Sequence, residues 1–307
     1  MTDGLDDFLA KHPGENLQVN GLRYHYLDEG DRHGEPVVMV HGNPSWSFYY
    51  RKLVETLTPL GYRAIVPDHI GCGYSEKPDD SRYEYTLERR VRDLEALVIG
   101  HLKLEKGITL AVHDWGGAIG FAFAARHPEL ISRLVVFNTA AFHLPKTMWF
   151  PWPLRFFRNW DLAPTLVRGL NLFCRGTAFF IGTRANPMSK AVRDAYLAPY
   201  DSWANRIAIH RFVQDIPLES GDRAYNLISF TENRLNRFAD TPMLIAWGLR
   251  DPVFNRHFLN EWTRRFPKAA VHKFADSGHY ILEDQSKAII PLVVEFLAKH
   301  PVSRTAG

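Results

Sequence analysis

The chain has 307 residues, 46% of them hydrophobic, which is enough for one elaborated domain with a sizeable buried core. A formal net charge of +3, spread without any basic run, argues against a nucleic-acid-binding protein. Residues 1–10 contain three aspartates and no apolar core, so we expect no secretory signal, and no apolar run reaches the ~18–20 residues of a membrane-spanning helix. Cys72 and Cys174 lie far apart without metal-ligand spacing, so we expect reduced thiols in a cytoplasmic protein.

Predicted strands and helices alternate in the first half of the chain. Leu17–Val19 and Tyr24–Asp28 flank Asn20-Gly21, a dipeptide that predicts a β-hairpin. Largely apolar runs then predict strands that are buried on both faces. These runs are Pro36–Val40, Arg63–Pro67, a segment that begins at Ile108, and Leu134–Asn138. Helical spacing of apolar residues follows the first three runs, in residues 45–57, 86–101 and 115–126.

This alternation stops between residues 143 and 238, where aromatic residues are frequent and prolines interrupt short helical stretches. It resumes with a predicted strand at Met243–Gly248, a helix near Arg256–Phe266, a strand near Ala270–Phe274 and a helix at Gln285–Lys299. Such an order predicts a doubly wound, mostly parallel sheet. We therefore expect an α/β fold with a core of residues 1–142 and 239–307 and an inserted helical cap of residues 143–238.

The strand that begins at Ile108 ends at Asp114, and Trp115 and two glycines follow at the start of a helix. A sharp strand–turn–helix of this kind presents the nucleophile of an α/β-hydrolase. A lone aspartate after a strand is commonly a cap or turn residue. The glycines let the helix backbone pack closely against the strand, which favours the nucleophile. Because the sequence contains no Gly-x-Ser-x-Gly, an ordinary serine esterase is disfavoured.

Two further polar residues follow predicted strands near the carboxyl end of the chain. Asp251 comes just after Met243–Gly248, and His279 just after the next strand. Taken singly, Asp251 would be a turn former before Pro252 and His279 a structural histidine. The order of nucleophile, acid and histidine, each at a strand end, instead predicts a catalytic triad of Asp114, Asp251 and His279.

The turn at His41-Gly42-Asn43-Pro44 supplies a further element of the site. Its backbone N–H groups, with that of Trp115, would form an oxyanion hole. The side chains of Asn43 and Trp115 also carry N–H donors, which suit an anionic leaving group. Alone, Asn43 would be a turn former and Trp115 a packing residue. The histidines, including His41, His69 and His113, lack metal-ligand spacing, so we expect no metal and no cofactor.

Val-His-Asp-Trp-Gly-Gly and His-Gly-Asn-Pro resemble motifs of the haloalkane dehalogenase branch of the α/β-hydrolase superfamily. This resemblance implies that Asp114 is the nucleophile, His279 the base and Asp251 the acid, with Asn43 and Trp115 binding the leaving group. Epoxide hydrolases share His-Asp-Trp-Gly-Gly but usually have an aromatic residue in place of Asn43. Epoxide hydrolysis is therefore the second alternative, after dehalogenation of 1-haloalkanes.

Segments across nearly the whole chain are also similar to the β-lactone decarboxylase family of bacterial long-chain olefin biosynthesis. These segments are His41–Arg51, Pro67–Pro78, Phe137–Phe142, Ala198–Arg206, Gln214–Leu218 and His279–Asp284. The resemblance implies a hydrophobic small-molecule substrate, a cis-3,4-dialkyl-β-lactone, which loses CO2 to give a cis-alkene. It also implies an assembly with a β-lactone synthetase and a 2-alkyl-3-ketoalkanoic acid reductase. An inactive binder on this fold would lack an intact triad.

Residues 147–158 are the most aromatic stretch of the chain and mix tryptophan, phenylalanine and arginine. Three interpretations remain open: packing of the cap against the core, a lining for long alkyl chains, or a surface for a partner or lipid. A substrate with two long tails requires an apolar channel, because each buried CH2 contributes roughly 0.8 kcal/mol.

Overall fold

The computed structural model describes residues 4–180 and 187–302, without the side chains of Phe179 and Phe180. Its central element is an eight-stranded sheet with the strand order β1-β2-β4-β3-β5-β6-β7-β8. The strands are β1 (Glu15–Val19), β2 (Leu22–Gly30), β3 (Glu35–Val40), β4 (Tyr62–Pro67), β5 (Ile108–Asp114), β6 (Ile131–Thr139), β7 (Met243–Gly248) and β8 (Ala270–Phe274). Every strand predicted from the apolar runs is present, and the α/β fold class is confirmed.

Only the pairings of β2 are antiparallel within this sheet. β1 and β2 form the hairpin predicted at Asn20-Gly21, with Val19 opposite Leu22, and β2 also pairs antiparallel with β4. From β4 to β8 all pairings are parallel. Parallel strands need helical crossovers that cover both faces of the sheet, which explains why β5 is buried along its whole length.

Helices cover the sheet and also fill the segment between β6 and β7. Those before β6 and after β7 are α1 (Leu5–Lys11), α2 (Arg51–Leu57), α3 (Leu87–Glu95), α4 (Trp115–Arg126), α10 (Arg256–Arg265), α11 (Ile281–Asp284) and α12 (Ser286–Lys299). Those between β6 and β7 are α5 (Trp152–Asn159), α6 (Leu172–Phe180), α7 (Lys190–Leu197), α8 (Ile207–Gln214) and α9 (Tyr225–Glu232). We call residues 143–238 the cap segment.

Two predicted helices differ from the structure at one end. The helix expected over residues 86–101 is α-helical only to Glu95 and continues as a π-helix over Ala96–His101. The helical stretch expected from Ser45 begins as a 3-10 turn at Ser47–Tyr50 before α2. Within the described parts of the chain, no helix combines the length and apolar character that crossing a bilayer requires.

The carboxyl ends of the parallel strands meet at one edge of the sheet, beneath the cap segment. β5 ends at Asp114, β7 ends three residues before Asp251, and β8 ends five residues before His279. The turn that contains Asn43 follows β3, the neighbour of β5. The fold therefore brings together side chains that lie more than 200 residues apart in sequence.

Candidate active site

Asp114 occupies a sharp turn between β5 and α4. Its φ of 53° and ψ of −129° lie in a region that L-residues rarely adopt, so the backbone there is strained. The turn is enforced by close packing on both sides. A Cβ on Gly116 would collide with the carbonyl oxygen of Val40, and the Thr139 hydroxyl donates a hydrogen bond to the Asp114 carbonyl. The Asp114 carboxylate is consequently held at the tip of the turn.

The imidazole of His279 lies between two carboxylates. Its Nδ1–H donates to Asp251 Oδ2 at 2.7 Å, and its Nε2 lies 3.4 Å from Asp114 Oδ2. All three side chains are buried or nearly so. Burial acts to lower the pKa of His279, but the negative charges of Asp251 and Asp114 outweigh it and raise the pKa from 6.5 to about 10. At neutral pH His279 is therefore an imidazolium ion-paired with Asp114.

Asp251 uses its two carboxylate oxygens for different purposes. Oδ1 accepts hydrogen bonds from the backbone N–H groups of Val253 and Phe254, at 2.7 and 3.0 Å, while Oδ2 contacts His279. The turn-former interpretation and the triad interpretation of Asp251 are thus compatible. The local turn fixes the carboxylate so that its second oxygen faces the imidazole.

His113 contacts the backbone and the ring of His279, a role that the sequence did not predict. Its Nε2–H donates to the His279 carbonyl oxygen at 2.8 Å, and the two rings lie 4.5 Å apart. Burial holds the pKa of His113 well below its usual range, so the ring is neutral beside the charged one. Its place directly before Asp114 on a fully buried strand was the available signal, because a polar side chain there needs a partner.

Asn43 contacts Asp114 through its backbone and the cap segment through its side chain. The backbone N–H donates to Asp114 Oδ1 at 2.5 Å, which places an N–H donor on the carboxylate of Asp114 itself. The side-chain Nδ2 donates to the carbonyl of Ile209, in α8, at 3.1 Å. An amide nitrogen carries two hydrogens, so this bond fixes the orientation of the amide and leaves one N–H for a ligand.

Trp115 lies beside Asp114 and is supported by a stack of side chains that crosses from the core to the cap segment. Its ring packs 5.4 Å from that of Phe212, over which the Arg90 guanidinium lies at 3.6 Å. Arg90 is completely buried and lies 3.5 Å from Asp215 Oδ2. The burial of Arg90 could have been predicted from the sequence, because Arg90 shares a helix face with the apolar residues Leu87 and Val91.

An apolar cavity of about 560 Å³ opens onto Asp114, His279 and the two donor residues. Its lining comes from both the core and the cap segment, and most of it is aliphatic or aromatic. The residues from the cap segment include Phe150, Leu154, Phe157, Leu172, Phe173, Val213 and Ile228. An apolar cavity with a few convergent polar groups at one end suits a hydrophobic ligand with one reactive polar centre. Among the described residues, no group of three or more His, Cys, Asp or Glu side chains could hold a metal ion.

Residues 35–286 match the family model for the alpha/beta hydrolase fold, in agreement with the sheet order and the nucleophile turn. The chain therefore belongs to the α/β-hydrolase fold family. A protein of Shewanella oneidensis named cis-3-alkyl-4-alkyloxetan-2-one decarboxylase is 56% identical over 92% of this chain and 87% of that relative. A protein of Xanthomonas campestris pv. campestris with the same name is 48% identical over 92% of this chain and 94% of that relative.

A solved structure supports the same fold assignment. The crystal structure of a haloalkane dehalogenase from Bradyrhizobium elkani superposes with a TM-score of 0.80 at 25% identity, and the match covers 93% of this chain and 97% of that one. The sequence identity to this dehalogenase is about half that to the two decarboxylases.

Proposed function

We propose that the protein decarboxylates cis-3,4-dialkyl-β-lactones to cis-alkenes and CO2, as a step in the formation of long-chain olefinic hydrocarbons. The observation that carries this proposal is the match to two decarboxylases over 92% of the chain. The unmatched residues are too few to leave out the cap segment, so the similarity extends to residues that line the cavity. Two alkyl tails suit an apolar cavity of this kind.

The first proposed step is opening of the lactone by Asp114. A carboxylate is ionised at neutral pH and attacks without help from a base. We propose that Asp114 Oδ2 attacks the ring carbon that bears the ring oxygen, because Oδ1 is engaged by the Asn43 N–H. The C–O bond of the ring breaks with inversion, and the products are an alkyl ester of Asp114 and a free substrate carboxylate. The N–H groups of Asn43 and Trp115 would hold the departing oxygen.

The second proposed step returns Asp114 to its starting state. The C–C bond to the substrate carboxylate breaks, its electrons form the alkene, and the C–O bond of the ester breaks to expel the Asp114 carboxylate. No water is consumed. Inversion followed by anti elimination gives a cis-alkene from a cis-lactone. The apolar cavity favours this step, because it disfavours a carboxylate anion relative to neutral CO2.

In this route His279 acts as a cation and not as a base. An imidazolium at 3.4 Å from Oδ2 stabilises the carboxylate that Asp114 becomes as the leaving group. While Asp114 is esterified, one of the two anions that raise the pKa of His279 is neutralised. The imidazole then loses its proton more readily, which is the condition under which water could be activated and the ester hydrolysed.

The test is the reaction of purified protein with a synthetic cis-dialkyl-β-lactone. We expect alkene and CO2 in equal amounts from the wild type and none from Asp114→Ala. The exposed Asp201 provides a matched control, and Asp201→Ala should retain full activity. Release of the β-hydroxy acid alone by the wild type would contradict the proposal.

Hydroxylamine distinguishes the proposed alkyl ester from the product of attack at the lactone carbonyl. That alternative attack would give a mixed anhydride, which hydroxylamine cleaves rapidly under conditions that leave an alkyl ester intact. A rapidly quenched reaction, digested and examined by mass spectrometry, should contain an Asp114 peptide whose adduct resists hydroxylamine. Complete loss of the adduct would favour the anhydride.

Dehalogenation of 1-haloalkanes is the second candidate, favoured by the N–H donors of Asn43 and Trp115 at the cavity and by the fold match to a dehalogenase. This reaction would form the same kind of ester on Asp114 and then hydrolyse it with His279 as the base. Rapid halide release from 1-haloalkanes without action on the lactone would support this candidate and contradict the first.

A further inference from the structure

Exposed apolar side chains lie next in sequence to residues that line the cavity. Trp149 is 95% exposed and Trp152 78% exposed, although both are among the largest apolar residues. Pro153, which follows Trp152, is exposed and also lines the cavity. Leu172, further along the chain, is likewise exposed and lines the cavity. The cavity therefore reaches the surface at this point. We call the surface formed by Trp149, Trp152, Pro153 and Leu172 the entrance patch.

Within the aromatic stretch of residues 147–158, some side chains line the cavity and others are exposed to solvent. Phe150, Leu154 and Phe157 are half-buried and line the cavity. The interpretation that the stretch only packs against the core is wrong for Trp149 and Trp152, which project into solvent. Large apolar side chains that are exposed within a few residues of one another on a globular protein indicate an interaction site.

The chain segment that contains the entrance patch carries a positive net charge. Residues 143–178 contain five arginine and lysine side chains and one acidic side chain, Asp161. Three of the cations, Lys146, Arg155 and Arg175, are exposed. The chain as a whole carries a formal net charge of only +3, so this segment alone accounts for its positive balance. Such a segment is complementary to an anionic surface.

We propose that the entrance patch docks the protein on an anionic lipid surface, with the cavity mouth facing the acyl chains. Tryptophan side chains favour the boundary between headgroups and hydrocarbon, and cations close to them are attracted by anionic headgroups. α5 has the composition of an interfacial helix, with Trp152 and Arg155 exposed and Leu154 facing the cavity. Entry of a two-tailed lactone into the cavity from the lipid rests on the proposed function.

Flotation with lipid vesicles tests the docking without any need for turnover. The wild type should float with vesicles of phosphatidylcholine and phosphatidylglycerol, and less with phosphatidylcholine alone. Trp149→Ser/Trp152→Ser should weaken partitioning by at least about tenfold, because two interfacial anchors are lost. Lys146→Ser should weaken it about fivefold on the anionic vesicles only. Leu60→Ser removes an exposed apolar side chain that lies outside the cap segment and should change nothing.

Two results would overturn the docking proposal. One is a wild type that does not float with anionic vesicles, and the other is a Trp149→Ser/Trp152→Ser variant that floats as well as the wild type. If the patch instead joins two copies of the chain, gel filtration will give a dimer that the double variant abolishes, without vesicle binding.

Two further variants distinguish failure of the docking proposal from failure of the proposed function. Asp114→Asn should float like the wild type, and the double tryptophan variant should act normally on a short-chain lactone dissolved in water. A wild type that turns over the short-chain lactone but does not float with anionic vesicles contradicts docking alone. Flotation of the wild type without turnover of any lactone contradicts the proposed function alone.

Discussion

The side-chain amide of Asn43 donates to the backbone carbonyl of Ile209, 3.1 Å away, and so connects the turn after β3 to α8 of the cap segment. One N–H of the amide is thereby fixed by the cap, and the direction of the other follows from it. The donor for a leaving group is therefore correctly oriented only when the cap segment is in place. Asn43 consequently links closure of the cavity to its chemistry.

Replacement of Asn43 by alanine should lower kcat by roughly 10²–10³-fold, the usual loss when one donor to a developing anion is removed. KM should change less, because the apolar cavity that binds the alkyl tails is unaltered. Steady-state kinetics on the lactone will measure both constants. Asn171 is the matched control, since it is buried and donates to the Tyr200 carbonyl away from Asp114. A similar loss of kcat in Asn171→Ala would contradict the assignment.

Asp251→Asn should move the pH dependence of the reaction to lower pH. The pKa of His279 is raised to about 10, and Asp251 is the largest of the groups that raise it. The contribution of the charged imidazole to the free energy of unfolding is complete below pH 6.5 and is lost as the pH rises through about 10, where the imidazole loses its proton. We expect wild-type kcat/KM for the lactone, which reports the free enzyme, to decline only near that upper limit, and kcat/KM of Asp251→Asn to decline at lower pH. A rate that instead rises with pH would indicate that His279 acts as a base.

Gly42→Ala should abolish most of the activity without unfolding the protein. A Cβ at this position would collide with the Asp114 carboxylate and the Trp115 backbone nitrogen, so the turn must move and the Asn43 N–H contact is lost. A loss of about 10²-fold or more in kcat/KM is expected from this displacement. Gly100→Ala is the control, because a Cβ at Gly100 meets no atom within 4 Å. Equal activity of the two variants would count against the assigned geometry.

Glu283→Gln should destabilise the protein strongly, although the residue lies outside the reacting groups. Its carboxylate accepts from Arg51 and Lys52, both at 2.9 Å, and from the Tyr196 hydroxyl at 2.7 Å. Burial alone would raise the pKa of Glu283, but these partners lower it from 4.5 to about 2. The variant would remove a buried negative charge that Arg51 contacts, at a cost of about 3–5 kcal/mol.

Chemical denaturation over a range of pH will measure this effect. The contribution of Glu283 is complete above pH 4.5 and is lost as the pH falls through about 2, so the difference between wild type and variant should shrink in acid. The exposed Glu295 pairs with Lys299, and Glu295→Gln should leave the free energy of unfolding nearly unchanged, because water screens this surface pair. A difference for Glu283→Gln that is constant with pH would contradict the ion-pair explanation.

The sheet could be predicted from the sequence because each of its strands is a separate local signal. The apolar runs at Pro36–Val40 and Met243–Gly248 and the Asn20-Gly21 turn are visible without any knowledge of the tertiary structure. The strand ends then indicated that Asp114, Asp251 and His279 would meet. Parallel strands have only one edge at which their carboxyl ends can lie, so the order of residues was sufficient.

The contacts between the core and the cap segment could not be predicted in the same way. The carbonyl of Ile209 carries no side-chain signal, and its contact with Asn43 depends on how α8 lies over the sheet. The exposure of Trp149 and Trp152 is equally non-local, since a tryptophan-rich stretch has the same sequence whether it is buried or exposed. The π-helical end of α3 has no signature in the spacing of its apolar residues.

The backbone of residue 114 is unfavourable for any side chain, because φ is positive there and only glycine adopts such a conformation freely. An Asp114→Gly variant should therefore be inactive yet more resistant to thermal unfolding than the wild type, in contrast to most changes at a buried position. The residue on which the proposed chemistry depends is thus one that the fold would be better without. At this position the requirement for catalytic activity conflicts with the requirement for thermal stability.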